Sequence, residues 1–130
     1  MAMSVAAKRR EPFPFVLAEL EPLRPVVRRM FGCTYVYLDE RLLMTLWDRA
    51  ERPRFRGIWL YTQTEHIESL RREFPQLPRH RFWRSGRNAW IILAAKSEEF
   101  EEYALRACAL ILGGDRRIGR VTRKRLAVSS

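Results

Sequence analysis

Between Pro22 and Leu46 the chain reads PLRPVVRRMFGCTYVYLDERLLMTL, a stretch that contains a helix stop, a glycine corner and a strand–turn–strand. Pro22 and Pro25 end a preceding helix, because proline has no amide hydrogen for the helical ladder. Gly32 closes the strand that follows them. The charged turn at residues 39–41 joins two apolar runs, which predicts a β-hairpin. Consecutive strands joined by short turns predict an antiparallel sheet.

The flanking sequence predicts three helices around this sheet. Apolar residues at helical spacing predict the first helix over residues 13–20. Thr62 and Glu65 have the spacing of a capping box that starts the second. Ser97 is the predicted N-cap of the third, and Gly113 the residue that ends it. The predicted strands are residues 26–31, 34–38, 42–47, 58–61, 81–84 and 89–95. The order α-β-β-β-β-α-β-β-α describes one α+β domain, an antiparallel sheet with helices packed on one face.

The 130 residues divide into a flexible leader at 1–12, the folded domain at 13–113 and a basic tail at 114–130. The formal net charge is +10, and 22 of the 25 basic residues are arginine. Arginine forks match phosphate oxygens, so one interpretation is a phosphate-rich or acidic partner. The other interpretation is a genomic preference for arginine codons, with the charge serving solubility. No segment has the length of a signal peptide or membrane span, which predicts a soluble cytoplasmic protein with no membrane partner.

Short motifs resemble two related bacterial families. Arg28-Arg29-Met30-Phe31-Gly32, followed by Tyr37-Leu38-Asp39, resembles the TfoX (Sxy) N-terminal domain. Cys33 and Glu40 stand where that family usually has glycine. Ala89-Trp90-Ile91-Ile92 and the last predicted helix are similar to the YjbR (MmcQ) family. Together the resemblances cover residues 13–113. They imply a double-wing α+β fold, a regulatory role and DNA binding in some members, and they carry no catalytic residue over to this chain.

Catalytic and metal-binding patterns are absent from the sequence. His66 is predicted to lie on the exposed side of a helix, and His80 in a proline-bounded loop. Cys33 and Cys108 are isolated thiols with neither metal-ligand spacing nor a disulfide framework, and we expect both to be buried and reduced. The sequence therefore predicts no catalytic residue, no metal, no cofactor and no enzymatic activity.

Arginines cluster at the second predicted hairpin and in the tail. A β-ribbon with arginines at its tip can follow a phosphate backbone, and a basic arm can do the same. The alternative is a solvated hairpin whose aromatic residues fold inward. The candidate nucleic-acid contacts are Arg79, Arg81, Arg84, Arg87, Arg116, Arg117 and Arg120.

Strand alternation divides the first strands into two faces. The face predicted to form the core carries Val36, Leu38, Leu42, Met44, Leu46, Ile58 and Leu60. The other carries Leu43 and Thr45 together with the candidate interaction surface: Tyr35, Tyr37, Trp47, Trp59 and Tyr61. Three interpretations stay open for these aromatics. They form a stacking platform for unpaired bases, a protein or homodimer interface, or ordinary core covered by the rest of the chain. The first two define the two candidate functions, a nucleic-acid-associated regulator and a protein-interaction module.

Overall fold

The computed structural model describes residues 12–49 and 51–121, which form one antiparallel sheet with three α-helices. The elements in chain order are α1 (Pro14–Leu20), β1 (Val26–Met30), β2 (Cys33–Leu38), β3 (Arg41–Trp47), β4 (Gly57–Gln63), α2 (Thr64–Arg71), β5 (Phe82–Ser85), β6 (Asn88–Ala94), α3 (Phe100–Leu112) and β7 (Arg120–Val121). The strands are ordered β1-β2-β3-β4-β6-β5, and β7 pairs with β3. The predicted α+β class and its order of elements are confirmed, with β7 as an addition.

The core lies between the helices and one face of the sheet. Five of the predicted core residues are completely buried there: Val36, Met44, Leu46, Ile58 and Leu60. Val16 and Leu20 of α1 pack against them, as do Ala104, Ala107 and Cys108 of α3. Aliphatic side chains at alternate strand positions thus meet helical residues at i, i+3 and i+4 spacing. None of the helices in the described part of the chain is long and apolar enough to cross a bilayer.

A β-bulge exchanges the predicted faces of Leu42 and Leu43. Val36 pairs with Met44, but the next residue, Tyr37, pairs with Leu42, so Leu43 is the extra residue in β3. Leu43 belongs to the buried core, and Leu42 shares the opposite face with Tyr37. Leu42 is buried as predicted, at 5% exposed, but the predicted side of the sheet was wrong for both leucines, because a bulge shifts the alternation of every residue beyond it.

Residues 115–121, which the sequence analysis assigned to the basic tail, fill a gap in the sheet. Strands β3 and β4 pair from Trp47 to Met44 and then separate. In the gap, the N–H of Gly119 donates to the carbonyl of Tyr61 at 2.7 Å, and β7 pairs with the start of β3. Ile118 is 1% exposed and belongs to the core. This part of the chain is integral to the fold, whereas residues 122–130 and the predicted leader up to residue 11 lie outside the described residues.

Three local predictions at the helix ends were wrong. Thr62 is the penultimate residue of β4, and its hydroxyl donates to the carbonyl of Arg117 instead of capping α2. The third helix begins at Phe100, after a turn in which the Ser97 hydroxyl accepts the N–H of Glu99 at 3.3 Å. The helical spacing of the third helix also predicts a buried Leu112, but this residue is exposed at the end of α3. At Thr62 and Ser97 a tertiary partner or a turn takes the role that local spacing had assigned to a cap.

Candidate functional site on the outer sheet face

Aromatic side chains extend across the sheet on the side away from the core, here called the outer face. The register aligns Trp59 with Thr45 and Tyr35, and it aligns Tyr61 with Trp90. Since directly opposed residues share a face, aromatics from five strands lie on one side. The outer-face aromatics on the strands are Tyr35, Tyr37, Trp47, Trp59, Tyr61, Trp83 and Trp90.

Trp47 and Trp59 form the most closely packed pair of the outer face. Their ring centroids are 4.6 Å apart with an interplanar angle of 6°. Phe55, from the loop before β4, places its edge against both rings at 6.3 and 6.0 Å. The indole N–H of Trp59 donates to the carbonyl of Phe55 at 3.0 Å, whereas the indole nitrogen of Trp47 is buried without an acceptor. The chain's own loop thus packs against this part of the predicted interaction surface.

Gly57 allows β4 and β6 to approach each other closely next to the Trp47–Trp59 pair. It lies opposite both Trp47 and Ala94 and has a φ of 148°. A Cβ at this position would stand 2.0 Å from the carbonyl oxygen of Leu93. Only glycine allows β4 to approach β6 at this point without displacing the backbone.

Tyr61 is enclosed by the C-terminal segment. Its ring is 8% exposed, and its hydroxyl shares a hydrogen bond of 2.9 Å with the hydroxyl of Thr45. The guanidinium of Arg120 lies 4.8 Å from the centre of the ring. Burial raises the pKa of Tyr61 above its usual value. Arg120, a predicted phosphate contact, therefore covers an aromatic residue through a cation–π contact.

Trp83 and Trp90 form the open end of the outer face. They are paired across β5 and β6, with parallel planes at 5° and centroids 6.2 Å apart. Trp83 is 43% exposed. From the sequence, Trp83 is predicted only as part of the arginine-rich hairpin, and neither tryptophan is predicted on the aromatic surface. Alternation along residues 82–85 and 88–94 was the signal, but it required the order β4-β6-β5 to connect these strands to the first hairpin.

The candidate arginines separate into structural and solvent-facing groups. Arg117 binds Asp115, Glu73 and Ser69 within the fold. Arg84 forms an ion pair of 3.0 Å with Glu68 of α2, on the side of β5 opposite Trp83. Arg81, at the other end of β5, donates to the carbonyl of Arg54. The side chains of the other three members, Arg79, Arg87 and Arg116, are exposed and make no hydrogen bond or ion pair with the rest of the described chain.

The cysteines and histidines are the remaining candidates for catalytic or metal-binding chemistry. Cys33 and Cys108 are buried free thiols, as expected, and burial raises the pKa of Cys108 to about 12. His66 lies 3.2 Å from Glu65 on α2. Within residues 12–49 and 51–121, no three His, Cys, Asp or Glu side chains are grouped so as to hold a metal ion.

Comparison of the chain with protein-family models, with curated proteins and with solved structures returned no match. The resemblance to the TfoX and YjbR families therefore stays a prediction.

Proposed function

We propose that this chain is a nucleic-acid-binding domain without enzymatic activity, and that its outer face binds single strands. The observation that carries the proposal is the stacked Trp83–Trp90 pair, whose outer member is exposed at the open end of the sheet. An exposed indole offers a π-face to an unpaired base, and each such stack contributes about 1–3 kcal/mol of binding free energy. The TfoX-like and YjbR-like resemblance, with its regulatory role, agrees with this proposal.

The charge distribution supports the same ligand class. None of the seven strands in the described residues contains Asp or Glu, so no strand residue on the outer face repels a phosphate. Arg87 lies in the turn between β5 and β6, and Arg79 lies in the 3₁₀ turn before β5. These arginines are exposed at the two ends of the strand that carries Trp83. A single strand that stacks on Trp83 has a phosphate contact available in either direction.

The competing function from the sequence, a protein interface on the aromatic face, has less to support it. Phe55 and Arg120 already pack on Trp47, Trp59 and Tyr61, so the chain itself contacts three of the five aromatics that would form such an interface. Specific protein interfaces bury roughly 800 Å² on each partner. The Trp83–Trp90 end of the outer face is large enough to stack one or two bases, so base binding suits it better than a protein interface does.

Tryptophan fluorescence during titration with oligo-deoxythymidine tests the proposal. We expect quenching that weakens with salt, because each neutralised phosphate releases about one counterion. Trp83→Ala should lower the affinity by about 10- to 100-fold. The matched control is Leu105→Ala, an exposed apolar residue of α3 on the helical side. Arg87→Ala should reduce the salt slope by about one, and Arg72→Ala, an exposed arginine of the α2 C-terminus, should not.

Three results would contradict the proposal. The first is absence of quenching at low salt. The second is equal binding by wild type and Trp83→Ala. The third is a dimer in sedimentation that Trp83→Ala dissociates, which would instead support the protein-interaction function.

A further inference from the structure

Strand β1 is an open edge of the sheet. Among the described residues it pairs only with β2, and all five of its residues are exposed. Val26, at its start, is 51% exposed. Natural sheets usually cover or shorten such edges, because their unpaired backbone groups bind other strands. In the described chain no element packs along the free side of β1.

The turn after β1 determines which backbone groups face outward. Phe31 and Gly32 have φ values of 50° and 76°, and Met30 pairs with Cys33. This is a two-residue hairpin turn, and the pair that flanks such a turn exchanges both backbone hydrogen bonds. Because the hydrogen-bonded pairs alternate, Arg28 also bonds to β2. The N–H and C=O of Val27 face away from β2, where an added strand would pair with them.

Phe31 projects from the tip of this hairpin. Its side chain is 79% exposed, and its left-handed φ of 50° is a conformation that glycine or asparagine usually takes at such a turn. A bulky apolar residue here is unfavourable in two ways, by backbone strain and by exposure. Strained backbone of this kind clusters at binding sites and switch regions. Phe31 provides an apolar anchor beside the open edge.

Charge disfavours two occupants of the edge. In an antiparallel pairing of two β1 strands centred on Arg28, each Arg28 would lie opposite its counterpart, and like charges directly opposed are destabilising, so this register is unfavourable. The chain's own end segments carry basic residues, Lys8, Arg9 and Arg10 at one end and residues 123–125 at the other, and none of these attracts the arginines of β1. The side chain of Arg28 has no ion pair or hydrogen bond in the described residues, so its charge is available to a carboxylate.

From this geometry we infer that β1 binds an extended, acidic segment of another protein by strand addition. The backbone of the segment pairs with Val27, its carboxylates contact Arg28, and an apolar residue packs on Phe31. Arginine on the edge then has two effects. It disfavours the pairing of two copies of this chain in which the two Arg28 residues are opposed, and it selects a strand of opposite charge. This surface is distinct from the Trp83 end of the outer face.

The experiment is a titration of the labelled full-length chain, followed by amide NMR, with a short acetylated peptide of alternating glutamate and valine. We expect shifts concentrated in β1 and slower hydrogen exchange at the Val27 amide, because that N–H gains an acceptor. A peptide of alternating lysine and valine is the charge control and should not bind. Arg28→Glu should lower the affinity for the acidic peptide by about tenfold or more, and it should permit the basic peptide to bind. Arg72→Glu, the same charge change just after the C-terminal end of α2, should do neither.

A second pair of variants tests the backbone contact. Val27→Pro removes the outward N–H, and because that group is not bonded to β2 the hairpin should persist. It should abolish peptide binding, whereas Val27→Thr should retain it. Equal binding of both peptides would overturn the inference, as would shifts on the outer face in place of β1. Self-association through β1, or Arg28-dependent shifts of the β1 amides with an oligonucleotide, would also overturn it by assigning the edge to a different occupant.

Discussion

The guanidinium nitrogen Nη2 of Arg117 lies 2.8 Å from the carboxylate of Glu73, just beyond the end of α2. The same guanidinium bonds Asp115, and its Nη1 donates to the carbonyl and the hydroxyl of Ser69. The hydrogen bond to Asp115, and after it the one to Glu73, raises the pKa of Arg117. One arginine thus attaches the C-terminal segment to the second helix, and its charge is compensated within the fold.

Replacing Arg117 should destabilise the domain more than replacing its neighbour. Arg117→Ala leaves two half-buried carboxylates without their cation, and we expect a loss of about 1–3 kcal/mol in the free energy of unfolding. Arg116→Ala is the matched control, because that exposed side chain makes no hydrogen bond or ion pair with described residues. Urea unfolding followed by circular dichroism measures both. Equal losses would show that the cluster around Arg117 adds no stability.

The acid dependence of stability should reflect Asp115. Its hydrogen bond from Arg117 holds the pKa of this carboxyl below its usual value of 3.8. A group whose pKa is lowered by folding stabilises the native state fully above its unfolded pKa, and that contribution disappears as the pH falls through the folded value. Wild type should therefore be more stable than Asp115→Asn at neutral pH, and this difference in the free energy of unfolding should decrease below about pH 4. A difference that does not change with pH would contradict this assignment.

Truncation should separate the folded from the terminal part of the predicted tail. A chain ending at Val121 retains β7, the buried Ile118 and the Arg117 cluster. A chain ending at Gly114 loses all of them. Burying a side chain of the size of isoleucine contributes about 1.5–3 kcal/mol, so we expect only the shorter chain to lose several kcal/mol. Thermal unfolding of the two truncated chains and wild type makes the comparison. An unchanged melting temperature for the shorter chain would mean that residues 115–121 add no stability by filling the gap between β3 and β4.

Two tryptophans that stack on each other should respond differently to the same change. Trp59→Phe removes a hydrogen bond to Phe55, which we expect to cost about 1 kcal/mol in addition to the lost ring area. Trp47→Phe removes a buried N–H that has no acceptor, and relief of that penalty should offset the lost area. Chemical unfolding of both variants should therefore rank Trp59→Phe as the less stable. The reverse order would indicate that the Trp47 nitrogen has an acceptor in solution.

Local periodicity was sufficient for most strands and for the core face. Val36, Met44 and Ile58 could be assigned from alternation alone, because side-chain direction in a strand depends only on position along that strand. Trp47 and Trp59 could be grouped for the same reason. Leu42 and Leu43 could not be assigned, since a bulge arises from the pairing of two strands and leaves no mark on the periodicity of one.

The sequence determined the helices, the hairpins, the fold class and the presence of an aromatic face opposite the core. Tertiary structure alone brought Trp83 and Trp90 to that face, through a strand order in which β6 adjoins β4. It also drew Ile118 and Arg117 into the fold, from a segment with no periodic pattern. Short-range spacing encodes which side of an element is apolar. Which arginine meets a carboxylate and which stays in solvent depends on residues as much as 44 positions apart, brought together only when the sheet closes on its helices.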